Sequence, residues 1–117
     1  MNIEEFLNYC LSKPGAEESF PFDSSTLVVK VMGKMFALTN VDTFGSINLK
    51  ADPEKSVEWR ERYSCVHPGF HMNKKHWNTI DMDNSITDDL IKEWIDHSYQ
   101  LVVQGLPKAK LELLQLD

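Results

Sequence analysis

The chain has 117 residues, with 42% apolar and 26% charged side chains and a formal net charge of −6. That size and balance fit one folded domain, and no apolar run approaches the ~20 residues a membrane helix needs. Two cysteines, Cys10 and Cys65, make no disulfide framework, and an acidic balance is the reverse of the basic excess usual in nucleic-acid modules.

The first residues, MNIEEF, lack the basic start of a signal peptide. With reduced thiols as the default in such a chain, a cytoplasmic location is expected. From Asn2 to Ser12 the pattern predicts a helix. Asn2 can cap it, Glu5 stands three residues on, and Ile3, Phe6, Leu7, Cys10 and Leu11 form one apolar stripe. Pro14-Gly15 ends it. The following AEESFPFD, residues 16 to 23, reads as a loop in which Phe20 and Phe22 plug the end of the core while Glu17 and Glu18 stay solvated.

Residues 26 to 32 and 35 to 40 are β-rich runs around Gly33-Lys34, a pair that suits a type II′ hairpin turn with glycine first. A further turn leads to Ser46–Lys50, whose polar and apolar residues alternate, so a three-stranded antiparallel meander is expected. Lys34 and Lys50 read as solvated charges. Asp52-Pro53 opens a second helix running to about Tyr63, with Val57, Trp59 and Tyr63 as inward candidates. Short strands are predicted over residues 65 to 67 and 77 to 82, separated by the Pro68-Gly69 turn.

The strongest helix spans residues 87 to 104. Thr87 caps it, Asp88 and Asp89 complement the dipole in its first turn, and Ile91, Trp94, Ile95, Ser98 and Val102 line one face. Gly105 and Pro107 close it, and residues 108 to 116 read as a short amphipathic segment. The order of elements, α-β-β-β-α-β-β-α in a single domain over residues 1 to 117, implies an α+β fold with helices on one face of an antiparallel sheet.

The stretch from Arg62 to Ile80 stands apart. Its full charges are Arg62, Lys74 and Lys75, with no acid, and it holds three of the four histidines, His67, His71 and His76. Residues 81 to 96, by contrast, carry six acids against Lys92. Within the central stretch, HPGFHMNKKHW, together with the early KPGAEESFPFD and the late SYQLVVQGLP, resembles the MmcQ/YjbR family of small bacterial proteins. The matching positions are Pro68, Gly69, His71, Met72, Asn73, Lys74 and Trp77, with Pro14, Gly15 and Glu18 in the early motif. The resemblance implies a frataxin-like (CyaY-like) fold and DNA binding through a proposed double-wing motif.

Read from the residues themselves, nucleic-acid binding uses Arg62, Lys74 and Lys75 on phosphates, Asn73 or His71 on base edges, and Trp77 or Phe70 as a stacking surface. So few phosphate contacts predict weak, salt-dependent binding. A metal reading rests on Cys65-x-His67-x3-His71-x4-His76, a spacing that matches no usual zinc pattern, so no metal or other cofactor is expected. Cys65 with His67 or His71 is the one thiolate pair available to an enzyme. No nucleophile elbow, phosphate loop or HExxH accompanies it, and catalysis is not expected. The reading that follows is a small cytoplasmic binding protein, DNA-binding through residues 62 to 80. The alternative is a protein- or small-ligand-binding module using the same groove.

Overall fold

The computed structural model of the protein describes residues 1–114. Helix α1 (Ile3–Leu11) is followed by strands β1 (Ala16–Ser19), β2 (Thr26–Val31), β3 (Lys34–Asn40) and β4 (Ser46–Lys50). Helix α2 (Pro53–Arg62), strands β5 (Val66–Pro68) and β6 (Trp77–Asp81), and helices α3 (Asp88–Gln104) and α4 (Lys108–Leu114) complete it. All six strands pair antiparallel in the order β1-β2-β3-β4-β6-β5. The expected α+β class and the meander are present.

Alternation sorts the strand residues between two unlike faces. Leu27, Val29, Val31, Ile47, Leu49, Val66 and Ile80 point to one side. There they pack with Phe6 and Cys10 of α1, Trp59 of α2, and Ile91, Trp94, Ile95, Tyr99, Val102 and Val103 of α3. Trp59 and Trp94 stack with ring centroids 4.3 Å apart, which joins α2 to α3. The other side carries only a small cluster, Val28, Leu38 and Trp77, with Met35 and Met72 against it. No described helix packs on that face.

A bulge in β3 decides what the open face contains. Val29 pairs Ala37 and Lys30 pairs Met35, so Phe36 has no partner on β2. Phe36 and Ala37 therefore both join the helix-side core, and Met35 turns to the open side. Ser98 of α3 locks this arrangement. Its hydroxyl donates to the Phe36 carbonyl at 2.5 Å and accepts from the Lys50 N–H at 2.9 Å, so the bulge and the neighbouring strand are bonded to one buried side chain.

Several expectations are corrected. Residues 16 to 19 form an edge strand, not loop, paired with Val28 to Val31. Phe20 and Phe22 do not plug the core; both are exposed. The hairpin loop is Met32-Gly33, with positive φ at both residues (49° and 83°), hence a type I′ turn shifted by one residue from the expected pair. Val57 is exposed, and Ser56 and Trp59 are the buried residues of α2. Residues 115 and 116 of the predicted last segment lie outside the described residues.

Candidate functional site

The open face holds a cleft of about 650 Å³. Strand residues make its floor: Leu38 and Met35 from β3, Ser46 and Asn48 from β4, and Trp77 and Thr79 from β6. Two loops make its lips. Phe22 comes from the β1–β2 connection, and Phe70, His71, Met72 and Asn73 come from the β5–β6 connection. Phe22 is 65% exposed and Phe70 63%, whereas Trp77 between them is 9% exposed. Two aromatic side chains in water beside a third that is nearly buried is an unusual expenditure of apolar surface, since an exposed phenylalanine forgoes about 1.5–3 kcal/mol of burial.

Local chemistry holds each lip in place. On one side the Asp23 carboxylate accepts from the Ser25 N–H (2.9 Å), the Thr26 N–H (2.6 Å) and the Thr26 hydroxyl (3.2 Å). The two backbone donors hold its carboxyl below the usual carboxylate range. On the other side Gly69 comes so close to β6 that a Cβ there would lie 2.9 Å from Trp77 Cβ and 3.0 Å from the Trp77 carbonyl oxygen. Only glycine permits the Gly69 N–H to Trp77 carbonyl bond of 2.8 Å at that approach. His71 then takes a positive φ of 57°, a conformation non-glycine residues seldom adopt, as the chain doubles back over the sheet.

Arg60 of α2 ties the loop down from the helix side. Its Nη2 donates to the carbonyls of Lys74 (2.5 Å) and Trp77 (3.1 Å), and its Nε donates to Asn78 Oδ1 (2.8 Å). The fully buried Asn78 passes the link on, donating from Nδ2 to Ser56 Oγ at 2.9 Å. On the cleft floor the Thr79 hydroxyl donates to Asn48 Oδ1 (2.6 Å) and accepts from the Phe70 N–H (3.2 Å). Nothing among the described residues accepts from Asn48 Nδ2, so a hydrogen-bond donor stands ready in the floor beside Leu38 and Trp77.

The residues singled out from sequence are divided by this geometry. His71, Asn73 and Trp77 line the cleft. Asn73 also shapes its loop, its Oδ1 accepting from the Lys75 N–H and its carbonyl from the Trp77 N–H. The three cations do not join them. The Lys74 ammonium donates to the Gly69 carbonyl at 2.8 Å, Arg62 lies over the Tyr63 ring at the end of α2, and Lys75 is exposed outside the lining. The expected gathering of positive tips is therefore absent, because Lys74 satisfies a backbone carbonyl within its own loop.

The four residues of the metal spacing also separate. Cys65 is buried in the helix-side core, and His67 Nε2 bonds Asp81 Oδ2 at 2.7 Å. Among the described residues no three histidine, cysteine, aspartate or glutamate side chains come together as a metal site. Arg60 and Phe22 were missed from sequence. The signal for Arg60 was its i, i+4 spacing from Ser56 on the side of α2 that faces β6.

Comparison with known proteins places the whole chain. The YjbR family model matches residues 11–101. The Escherichia coli (strain K12) protein YjbR is 40% identical over 115 residues, covering 97% of this chain and 98% of its own length. The YbdF protein of Escherichia coli O157:H7 is 39% identical over 84% of this chain and 81% of its own. Among solved structures, Deinococcus radiodurans DR2400, a DUF419 domain, superposes with a TM-score of 0.91 at 36% identity, covering 99% of this chain and 89% of that one. A Pseudomonas syringae protein superposes with a TM-score of 0.72 at 26% identity over 86% of this chain and 98% of its own.

Proposed function

The chain belongs to the YjbR family, and from that premise and the cleft we propose that it is a non-catalytic binding module whose ligand is a small molecule with a flat or apolar body. The observation that carries this reading is the placement of Phe22 and Phe70, exposed on opposite lips of one cleft whose floor is Leu38, Met35 and Trp77. A cleft of about 650 Å³ with mostly apolar walls and a few placed polar groups suits a small ligand. Asn48 Nδ2 and the His71 ring supply the polar contacts.

The finer kinship to a frataxin-like (CyaY-like) fold belongs to the same proposal, supported by a single antiparallel sheet with its helices on one side. So does a cytoplasmic location, supported by two free cysteines that are both buried and apart; no helix of the described residues is long and apolar enough to cross a membrane. DNA binding on the same face is the second reading. Phe70 and Trp77 favour it as stacking surfaces, and Arg62, Lys74 and Lys75 contribute no shared phosphate site.

The test uses N-phenyl-1-naphthylamine, an uncharged aromatic dye whose fluorescence rises on leaving water. We expect saturable binding that Phe22→Ala and Phe70→Ala each weaken about three- to tenfold while leaving the melting temperature unchanged, since both rings are exposed. Binding indifferent to both substitutions contradicts the reading. A labelled single-stranded oligonucleotide that binds more tightly than the dye, and is displaced by it, favours the second reading instead.

A further inference from the structure

Beside the aromatic cleft lies a shallower depression of about 340 Å³, and the two share Met35 and Trp77. Its remaining lining is Lys34, Lys50, Leu101, Val102 and Gly105. The sheet explains the juxtaposition. Lys50 pairs Trp77 across β4 and β6, and the β3 bulge that turns Met35 outward sets Lys34 at the start of the same strand. The cations that line the depression are therefore Lys34, which pairs the helix-side residue Val31 at the end of the sheet, and Lys50, which pairs Trp77 on the open side; neither belongs to the acid-free stretch of the sequence.

Neither ammonium is already spent. Among the described residues Lys34 and Lys50 form no ion pair, their side chains make no hydrogen bond, and no carboxylate lines the depression. Lys30, two residues before the hairpin loop, differs in this respect, because Glu17 faces it across β1 and β2. The C-terminal turn of α3 also borders the depression, and its last turn has no basic residue of its own. A helix C-terminus carries about half a negative charge, so two full positive charges leave a local surplus of more than one. Lys34 is exposed and Lys50 half-buried, so the attraction for an anion is strongest at low ionic strength and is screened by salt.

Building on the small-ligand reading of the cleft, we propose that its ligand is an amphipathic anion, with a flat or apolar body between Phe22, Phe70 and Trp77 and a carboxylate, sulfonate or phosphate group seated between Lys34 and Lys50. The shared wall of Met35 and Trp77 joins the two parts, so one molecule can reach both without crossing bulk solvent. A single small anion is favoured over a polymer because the ammonium pair is confined to one end of the cleft. At the other end Asp23 and Asp42 stand on the adjoining loops, Asp81 opposite Ser46 is bonded to His67, and none of the described lysines or arginines lines the cleft to hold a continuing phosphate chain.

The experiment compares two dyes with the same ring system. 1-Anilinonaphthalene-8-sulfonate carries a sulfonate that N-phenyl-1-naphthylamine lacks. At low ionic strength the sulfonate should bind about five- to tenfold more tightly, the advantage two partly exposed lysines can give, and lose that advantage in high salt. Lys34→Gln/Lys50→Gln should bring the sulfonate down to the affinity of the uncharged dye and leave the uncharged dye unchanged. Lys75→Gln, in the exposed loop, should leave the ratio as it is. Equal affinities in the parent protein, or a ratio untouched by the double substitution, overturn the anionic part and leave the cleft reading standing. If neither dye binds, both fail.

Discussion

His97 accepts the Asp52 N–H on Nε2 at 3.1 Å, at the position where Asp52 caps α2, and its ring lies edge-on to Trp59. An accepting nitrogen carries no proton, so the fold needs the neutral ring. Burial is the main reason its pKa falls below the ordinary 6.5, with Lys55 adding to the effect and Asp52 opposing it. Below that value the unfolded chain takes up a proton more readily than the native one, so stability is lost as pH falls through 6.5 and levels off beneath the folded value. Urea midpoints measured between about pH 8 and pH 5 should therefore drop, and His97→Gln, which keeps an acceptor but cannot titrate, should flatten part of that drop. An identical profile in the variant contradicts this role. Burial acts on Cys10 too, pushing its thiol up to about 12, which fits the buried apolar residue the α1 stripe predicted. At this scale the sequence was least informative about long side chains. Lys74 and Arg62 are cations in any sequence, and only the fold reveals that one bonds the Gly69 carbonyl and the other covers Tyr63.

Among the elements, α2 is held less by an apolar stripe than by what its polar residues grip. Arg60 reaches the Lys74 carbonyl of the loop before β6, the Trp77 carbonyl at the start of β6, and the side chain of Asn78, which is fully buried. Arg60→Gln is too short to serve all three, and leaving a buried acceptor without its donor costs about 1–3 kcal/mol. We expect a fall of that size in denaturant unfolding, together with faster amide hydrogen exchange across residues 69 to 77. Unchanged exchange there means that the loop is held by other contacts. Helices α1 and α3 were legible because caps and apolar stripes are local signals, and both caps are present, Asn2 with Glu5 and Thr87 with Leu90. Strand β1 was not, since a four-residue edge strand bearing two glutamates is defined by its pairing with β2 and by nothing within itself. The β3 bulge was hidden for a similar reason. Its cause is Ser98 and Tyr99, some sixty residues away, which receive the Phe36 carbonyl and ring.

The molecule as a whole is a sheet with one face closed by helices and one left open, and its function is read from that asymmetry. The sequence singled out residues 62 to 80, and part of that stretch lines the cleft. Its lysines, histidines and aromatics and a family resemblance marked it together; Phe70, Trp77, His71, Met72 and Asn73 line the cleft, and the cations do not. The opposing lip, Phe22, looked like core because a phenylalanine's exposure depends on whether a helix covers it, and none of the described helices does. The three tryptophans make the claim measurable at a glance. Trp59 and Trp94 stack on each other beneath the helices, and Trp77 alone faces the cleft. The most direct measurement is a titration of uniformly 15N-labelled protein with N-phenyl-1-naphthylamine, followed by the three indole N–H signals. A shift confined to the Trp77 indole, with backbone shifts at Phe22, Asn48 and Phe70, is the predicted result; shifts at Trp59 or Trp94 with Trp77 unmoved would contradict it.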